Sequence, residues 1–209
     1  MPGEANPGEP DLRSCRRRGG GRTPCEEPVR RRDGRRDRRN RLHPADWFDS
    51  LVDAASQRES TLQAPFSVYI HGDFNVDNII FDADEKRISF IDLHRSQQTD
   101  YVQDISVFMV SNYRLQILDA PLRARILGVA LDIYRIAQRF AEKSDDDTFE
   151  IRLALGLARS FVTSTRFILD KSLARAMFLR SRYLLEQLLA TGPKQVQHYR
   201  VPVEEIFVG

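Results

Sequence analysis

The hydrophobic period of this chain turns from strand-like to helical near residue 100, and that change limits what it can fold into. Upstream, Ser67-Val68-Tyr69-Ile70, Asn78-Ile79-Ile80-Phe81 and Arg87-Ile88-Ser89-Phe90-Ile91-Asp92 are short apolar runs of strand length. The first enters His71-Gly72-Asp73-Phe74-Asn75-Val76-Asp77-Asn78, whose Gly, Asn and Asp content favours a loop, and Asp82-Ala83-Asp84-Glu85-Lys86 between the other two favours a turn. The last two runs are therefore a hairpin.

Elsewhere the pattern is helical. Trp47, Leu51 and Ala55 mark a short helix opening near Pro44, and after Asp100 the period stays near 3.6. Leu122, Ile126, Val129, Ile133, Ile136 and Phe140 trace one expected buried face behind Pro121. Phe149, Leu153, Leu157 and Phe161 mark a further helix, with Ser144-Asp145-Asp146-Asp147 as its expected cap. Leu173, Met177, Leu184 and Leu188 mark another, stopped by Gly192-Pro193. The expected fold class is α+β: a short β-hairpin unit packed on a mostly α-helical bundle.

Charge separates the leader from the rest. Of 32 basic and 30 acidic residues, residues 1–41 hold 13 arginines and seven acids, which leaves 42–209 with a net charge of −4. A globally basic nucleic-acid binder is not indicated. With scarcely an aliphatic side chain, residues 1–43 are expected to be a disordered Arg-rich leader, and 44–209 the folded domain. Two other readings stay open for the leader: an arm that touches nucleic acid or acidic lipid through phosphate charge, and an out-of-frame translation of GC-rich DNA. Cys15 and Cys25, both in the leader, build neither a disulfide framework nor a zinc site. With no signal-peptide core and no run of about 18 apolar residues, the expectation is a cytoplasmic protein with no membrane span.

The chemistry sits at the open end of the hairpin. A turn centred on Glu85 pairs Asn78 with Asp92, and Asp73 lies in the loop just before, so two carboxylates and an amide can collect at one point. Hard oxygens in such small number suit Mg²⁺ shared with substrate phosphates, and a further carboxylate can take a proton from an attacking hydroxyl.

His71-Gly72-Asp73, Asn78 five positions later, and a hydrophobic hairpin ending in Ile91-Asp92 resemble the catalytic core of the aminoglycoside phosphotransferase and choline kinase family, which has the protein-kinase-like fold. The resemblance implies a small-molecule kinase that uses ATP and Mg²⁺ to phosphorylate a hydroxyl substrate. It places the acceptor-activating aspartate at Asp73, with His71 supporting the loop through its ring. Metal and nucleotide phosphates fall to Asn78 and Asp92, and the adenine pocket floor to Ile80 and Ile91, for which ordinary strand core is the alternative. Asp100-Tyr101-Val102-Gln103-Asp104-Ile105 is similar to the family segment that opens the next helix, so Asp104 either braces the catalytic loop or simply starts that helix. Asp145, Asp146 and Asp147 either cap a helix or attract a cationic substrate.

Two departures stand out. Leu93 and His94 follow Asp92, where many family members carry an aromatic residue and a glutamate. The first lysine is Lys86, whereas the family's nucleotide lobe carries a lysine on its sheet. The resemblance is therefore expected to run from Pro44 to Leu189, to be strongest over Val68–Ile105, and to cover only the C-terminal lobe, with the N-lobe missing. The rival readings are a truncated or pseudokinase lobe that binds a partner without turnover, and a nucleic-acid-tethered protein acting through its leader. An uncovered N-lobe-facing surface would favour self-association.

Overall fold

A computed structural model describes residues 44–208; the leader expected to be disordered lies outside the described residues. Six helices and two small antiparallel sheets follow one another: α1 (Pro44–Glu59), β1 (Val68–Ile70), β2 (Ile79–Asp82), β3 (Arg87–Phe90), β4 (Gln97–Thr99), α2 (Val102–Arg114), α3 (Ala120–Lys143), α4 (Phe149–Thr165), α5 (Lys171–Ala190) and α6 (Val203–Ile206). The fold is helix-rich and mixed. None of the described helices is long and apolar enough to cross a membrane.

Helix α4 is the centre. Every residue from Phe149 to Ala158 is buried, so it is apolar nearly all round and must be covered by neighbours, which are α2 and α5. Phe161, Leu153 and Leu157 of α4 meet Met109 of α2 and Met177, Leu184 and Leu188 of α5, all fully buried. Side chains set the helix starts: Asp119 accepts the Leu122 amide ahead of α3, and Asp170 accepts that of Leu173 ahead of α5, both at 2.8 Å.

Ser144–Asp147 does not cap α4. Thr148 occupies the cap position without a side-chain bond, and Asp146 instead lies buried against the Arg152 guanidinium, accepting from Tyr101 Oη at 2.7 Å. A buried arginine demands paired carboxylates more strongly than a helix end demands a cap, and Asp100 supplies the second.

The buried face of α3 is also not the expected one. Leu127, Ala130, Tyr134, Ala137 and Ala141 face the bundle, whereas Leu122, Val129, Ile136 and Phe140 are exposed and Ile126 and Ile133 half-buried. The true stripe is one residue out of phase with the bulky one. Its three alanines let the 24-residue helix lie close to α2, a packing that isoleucine would obstruct.

The strand region holds two sheets rather than one hairpin. Strand β1 pairs with β4, which the sequence reading missed, through Val68↔Thr99, Tyr69↔Gln98 and Ile70↔Gln97. Strands β2 and β3 form the expected hairpin, but with Ile79 opposite Phe90 and Asp82 opposite Arg87. The turn is therefore centred half a residue earlier than Glu85, and Asn78 faces Ile91, whose amide donates to the Asn78 carbonyl at 3.1 Å. Asp82 fixes this register. Its Oδ1 accepts the amides of Asp84 and Glu85, each at 3.0 Å, closing the turn.

Candidate active site

The two sheets place the His71–Asn78 loop. Continuing the β1–β4 register sets His71 against Ser96 and Gly72 against Arg95, and Ser96 Oγ donates to the His71 carbonyl at 3.2 Å. At Gly72 the chain comes so close that a Cβ would lie 2.2 Å from the Arg95 carbonyl oxygen, and φ is +85°. Only glycine tolerates both conditions.

Helix α2 holds the loop from the other side. Asp104 accepts the amides of His71 at 2.7 Å and Gly72 at 3.0 Å, and Gln103 donates to the Gly72 carbonyl at 3.1 Å. Burial pushes the Asp104 carboxyl above the usual range, and the two amides work against that rise. Asp104 thus both lies in the first turn of α2 and bonds the loop. The His71 ring is buried with both nitrogens engaged: Nε2 faces the Ile91 carbonyl at 2.9 Å, and Nδ1 accepts the Asp73 amide at 3.3 Å. This pattern selects the tautomer protonated on Nε2.

The Asp73 carboxylate is three-quarters buried and pointed by two partners. Asn75 donates to its Oδ1 at 2.6 Å, and Arg95 lies 3.3 Å from its Oδ2. Asn75 is itself held by Arg114 of α2, which donates to its Oδ1 at 3.1 Å. Asn78 donates its amide nitrogen to the Asp73 carbonyl at 2.8 Å, which leaves the oxygen end of that amide as the donor a cation can use.

Asp92 adopts left-handed backbone at φ 61° and pairs with His94 Nδ1. Strict alternation beyond β3 would send it to the face opposite Asn78; the left-handed turn breaks that alternation. Among the described residues no group of three His, Cys, Asp or Glu side chains forms a metal cage. One amide oxygen and one carboxylate match the sparse ligation Mg²⁺ takes when phosphates complete its shell.

Thus the structure knots His71, Gly72, Asp73, Asn78, Ile91 and Asp104 together by hydrogen bonds and leaves Asp92 at the rim, tied to His94. Ile80 and Ile91 are 51% and 43% exposed, and their neighbours Phe81, Ile88 and Phe90 are exposed too, so none of them is buried among the described residues.

Phe74 joins hairpin to bundle. Its ring centroid lies 5.7 Å from that of Phe90 and 5.2 Å from that of Phe108 on α2. Sequence reasoning gave no role to Phe74, Asn75, Arg95 or Arg114. The pairing of β1 with β4 would have flagged Arg95, since it sets Arg95 opposite Gly72.

Beside Asp73 a cleft of about 840 Å³ opens between the loop, α2 and the C-terminal half of α4. Asp145, Asp146 and Asp147 do not line it.

The model of the phosphotransferase enzyme family matches residues 12–141, well over half of the chain, and the chain belongs to that family. The general chemistry this membership points to is phosphoryl transfer, generally from ATP with Mg²⁺, on a kinase-like fold. The match begins at residue 12, upstream of Pro44 where the resemblance was expected to stop, and ends inside α3 rather than at Leu189. No curated protein and no solved structure matches the chain.

Proposed function

We propose that the described residues are the catalytic C-terminal lobe of a small-molecule kinase that transfers the γ-phosphate of ATP to a substrate hydroxyl. The observation that carries this reading is the doubly aimed Asp73 carboxylate, held at the mouth of an open cleft while Asn78 pins its backbone. Bound Mg²⁺ and ATP supply the phosphoryl group and neutralise its charge. Asp73 orients the acceptor hydroxyl and takes its proton; Asn75 and Arg95 fix the carboxylate. Asn78 and Asp92 are the residues that would hold the metal, and the exposed apolar surface of Ile80 and Ile91 is where an adenine would stack. His71, Gly72 and Asp104 position the loop and exchange no proton with substrate.

The test is turnover of the purified chain with ATP, Mg²⁺ and a panel of hydroxyl acceptors. Asp73→Asn should lower the rate by about 10²–10⁴-fold with nucleotide affinity nearly unchanged, as expected for loss of one positioned base. A variant that keeps full activity removes Asp73 from the mechanism.

One observation favours a second reading, a lobe that binds nucleotide or a partner without turning over. The first lysine, Lys86, sits exposed in the β2–β3 turn, away from any strand that could present it to phosphates. Turnover of about 1–10³ per second by this chain alone rejects that reading.

A further inference from the structure

The cleft beside Asp73 carries a charge pattern that says what kind of acceptor it takes. Four arginines line it, Arg95, Arg114, Arg159 and Arg166, and Asp73 is the single carboxylate among the described lining residues. Three of the four are already engaged. Arg95 leans on Asp73, Arg114 pairs with Asp77 at 2.7 Å, and Arg159 pairs with Glu59 across from α1. Arg166, at the C-terminal end of α4, has no carboxylate partner among the described residues; its guanidinium lies 4.6 Å above the exposed Phe167 ring. A guanidinium set over an aromatic ring has spent none of its N–H donors on a carboxylate.

We propose that the acceptor is an anionic hydroxyl compound, bearing a phosphate or a carboxylate, whose hydroxyl reaches Asp73 while its anion is held by Arg166 at the far side of the cleft. This rests on the phosphotransferase reading of Asp73 and narrows its substrate class. A cationic acceptor would meet four guanidiniums and would have to compete with Arg95 for the Asp73 carboxylate. The acidic residues of the sequence that could attract such a cation do not line this cleft, and Asp146 is spent on Arg152. A neutral polyol would leave Arg166 without a counter-charge. An acceptor with its own anion supplies that charge and puts its uncharged hydroxyl end toward the base.

Calorimetric titration of the purified chain with glycerol 3-phosphate, D-gluconate, glycerol and choline, for the wild type, Arg166→Gln and Arg166→Lys, tests this. One or both anions should bind at least about tenfold more tightly than glycerol or choline, the worth of a charge-assisted contact. Arg166→Gln should weaken the preferred anion by about five- to tenfold, Arg166→Lys should restore part of the loss, and 0.5 M NaCl should erase most of the preference. Whichever anion binds more tightly identifies the group as phosphate or carboxylate. Equal or better binding of choline or glycerol overturns the proposal, as does no binding by either anion, or an Arg166→Gln effect on ATP affinity in place of the anions. An anion preference in a chain that shows no phosphoryl transfer, and whose Asp73→Asn variant behaves as wild type, sinks the kinase reading and leaves an anion-binding cleft. Phosphoryl transfer to choline at wild-type levels in Arg166→Gln does the reverse.

Discussion

Helix α4 and the β2–β3 hairpin contain the same kinds of side chain and use them in opposite ways. In α4, Phe161, Leu153 and Leu157 are fully buried. In the hairpin, Ile80, Phe81, Ile88 and Phe90 are each at least half exposed, on both faces of a two-stranded ribbon. Such a ribbon is marginal by itself, and its ties to the bundle run through the loop that precedes it, above all Phe74. Hydrophobicity in α4 is therefore spent on stability; in the hairpin it is kept for contacts the lobe does not make within itself.

Four measurements break or sharpen that contrast, taken here from the largest expected effect to the smallest. Phe161→Ala should cost about 3–5 kcal/mol in denaturant unfolding, whereas Phe81→Ala should cost less than about 1 kcal/mol. Comparable losses would show that the hairpin is part of the core after all.

Asp146→Asn should cost about 3 kcal/mol near neutral pH, because it leaves Arg152 buried with one partner fewer. Its pH dependence has a definite sign. Burial acts to raise the Asp146 carboxyl, but the hydrogen bonds from Arg152, Tyr101 and Thr148 and the Arg152 charge together hold it below the usual range. The stability it contributes is thus present above the unfolded-state carboxylate range near 4 and is lost as pH falls through the lower folded value. Unfolding free energy measured between about pH 5 and 2 should fall less steeply in the variant; an unchanged slope would remove Asp146 from the acid response.

Ile80→Ala should leave the unfolding midpoint almost unchanged yet weaken ATP binding about five- to thirtyfold, the 1–2 kcal/mol of one apolar contact. Where hairpin surface instead supports self-association, sedimentation of Phe81→Glu will show less of it than the wild type. A variant that lowers stability and spares both kinds of binding would contradict the division of labour between the two regions.

The sequence was legible where local chemistry decides structure. The Gly, Asn and Asp of the His71–Asn78 loop, the turn at Asp82, and the α4 and α5 stripes all act within a few residues of one another. It was misleading on α3, because the larger apolar stripe was taken for the buried one, and interhelical distance, which a periodicity cannot report, favoured the alanines. It was half a residue wrong at the hairpin, because two backbone amides bonded to Asp82 outweigh the symmetry of the apolar runs. Strand β4 was missed because Gln97-Gln98-Thr99 has no apolar alternation; only its partner β1 makes it a strand. The arginines around Asp73 come from the turn after β3, from α2 and from the C-terminal half of α4, a convergence that appears only once α2 and α4 are packed.

The bonds between α2 and the His71–Asn78 loop have a kinetic meaning. The amides of His71 and Gly72 end on Asp104, and that of Val76 ends on Ser111 at 3.1 Å, so each acceptor belongs to a helix whose other face is core. For those protons to exchange with solvent, the helix must move or unfold, and a local flicker of the loop is not enough. The loop thus joins the cooperative unit of α2 and α4 instead of the low-stability class to which active-site loops commonly belong. Its protection against exchange should therefore track that of the bundle rather than that of the β2–β3 hairpin, where the described backbone carries no such ties to α2.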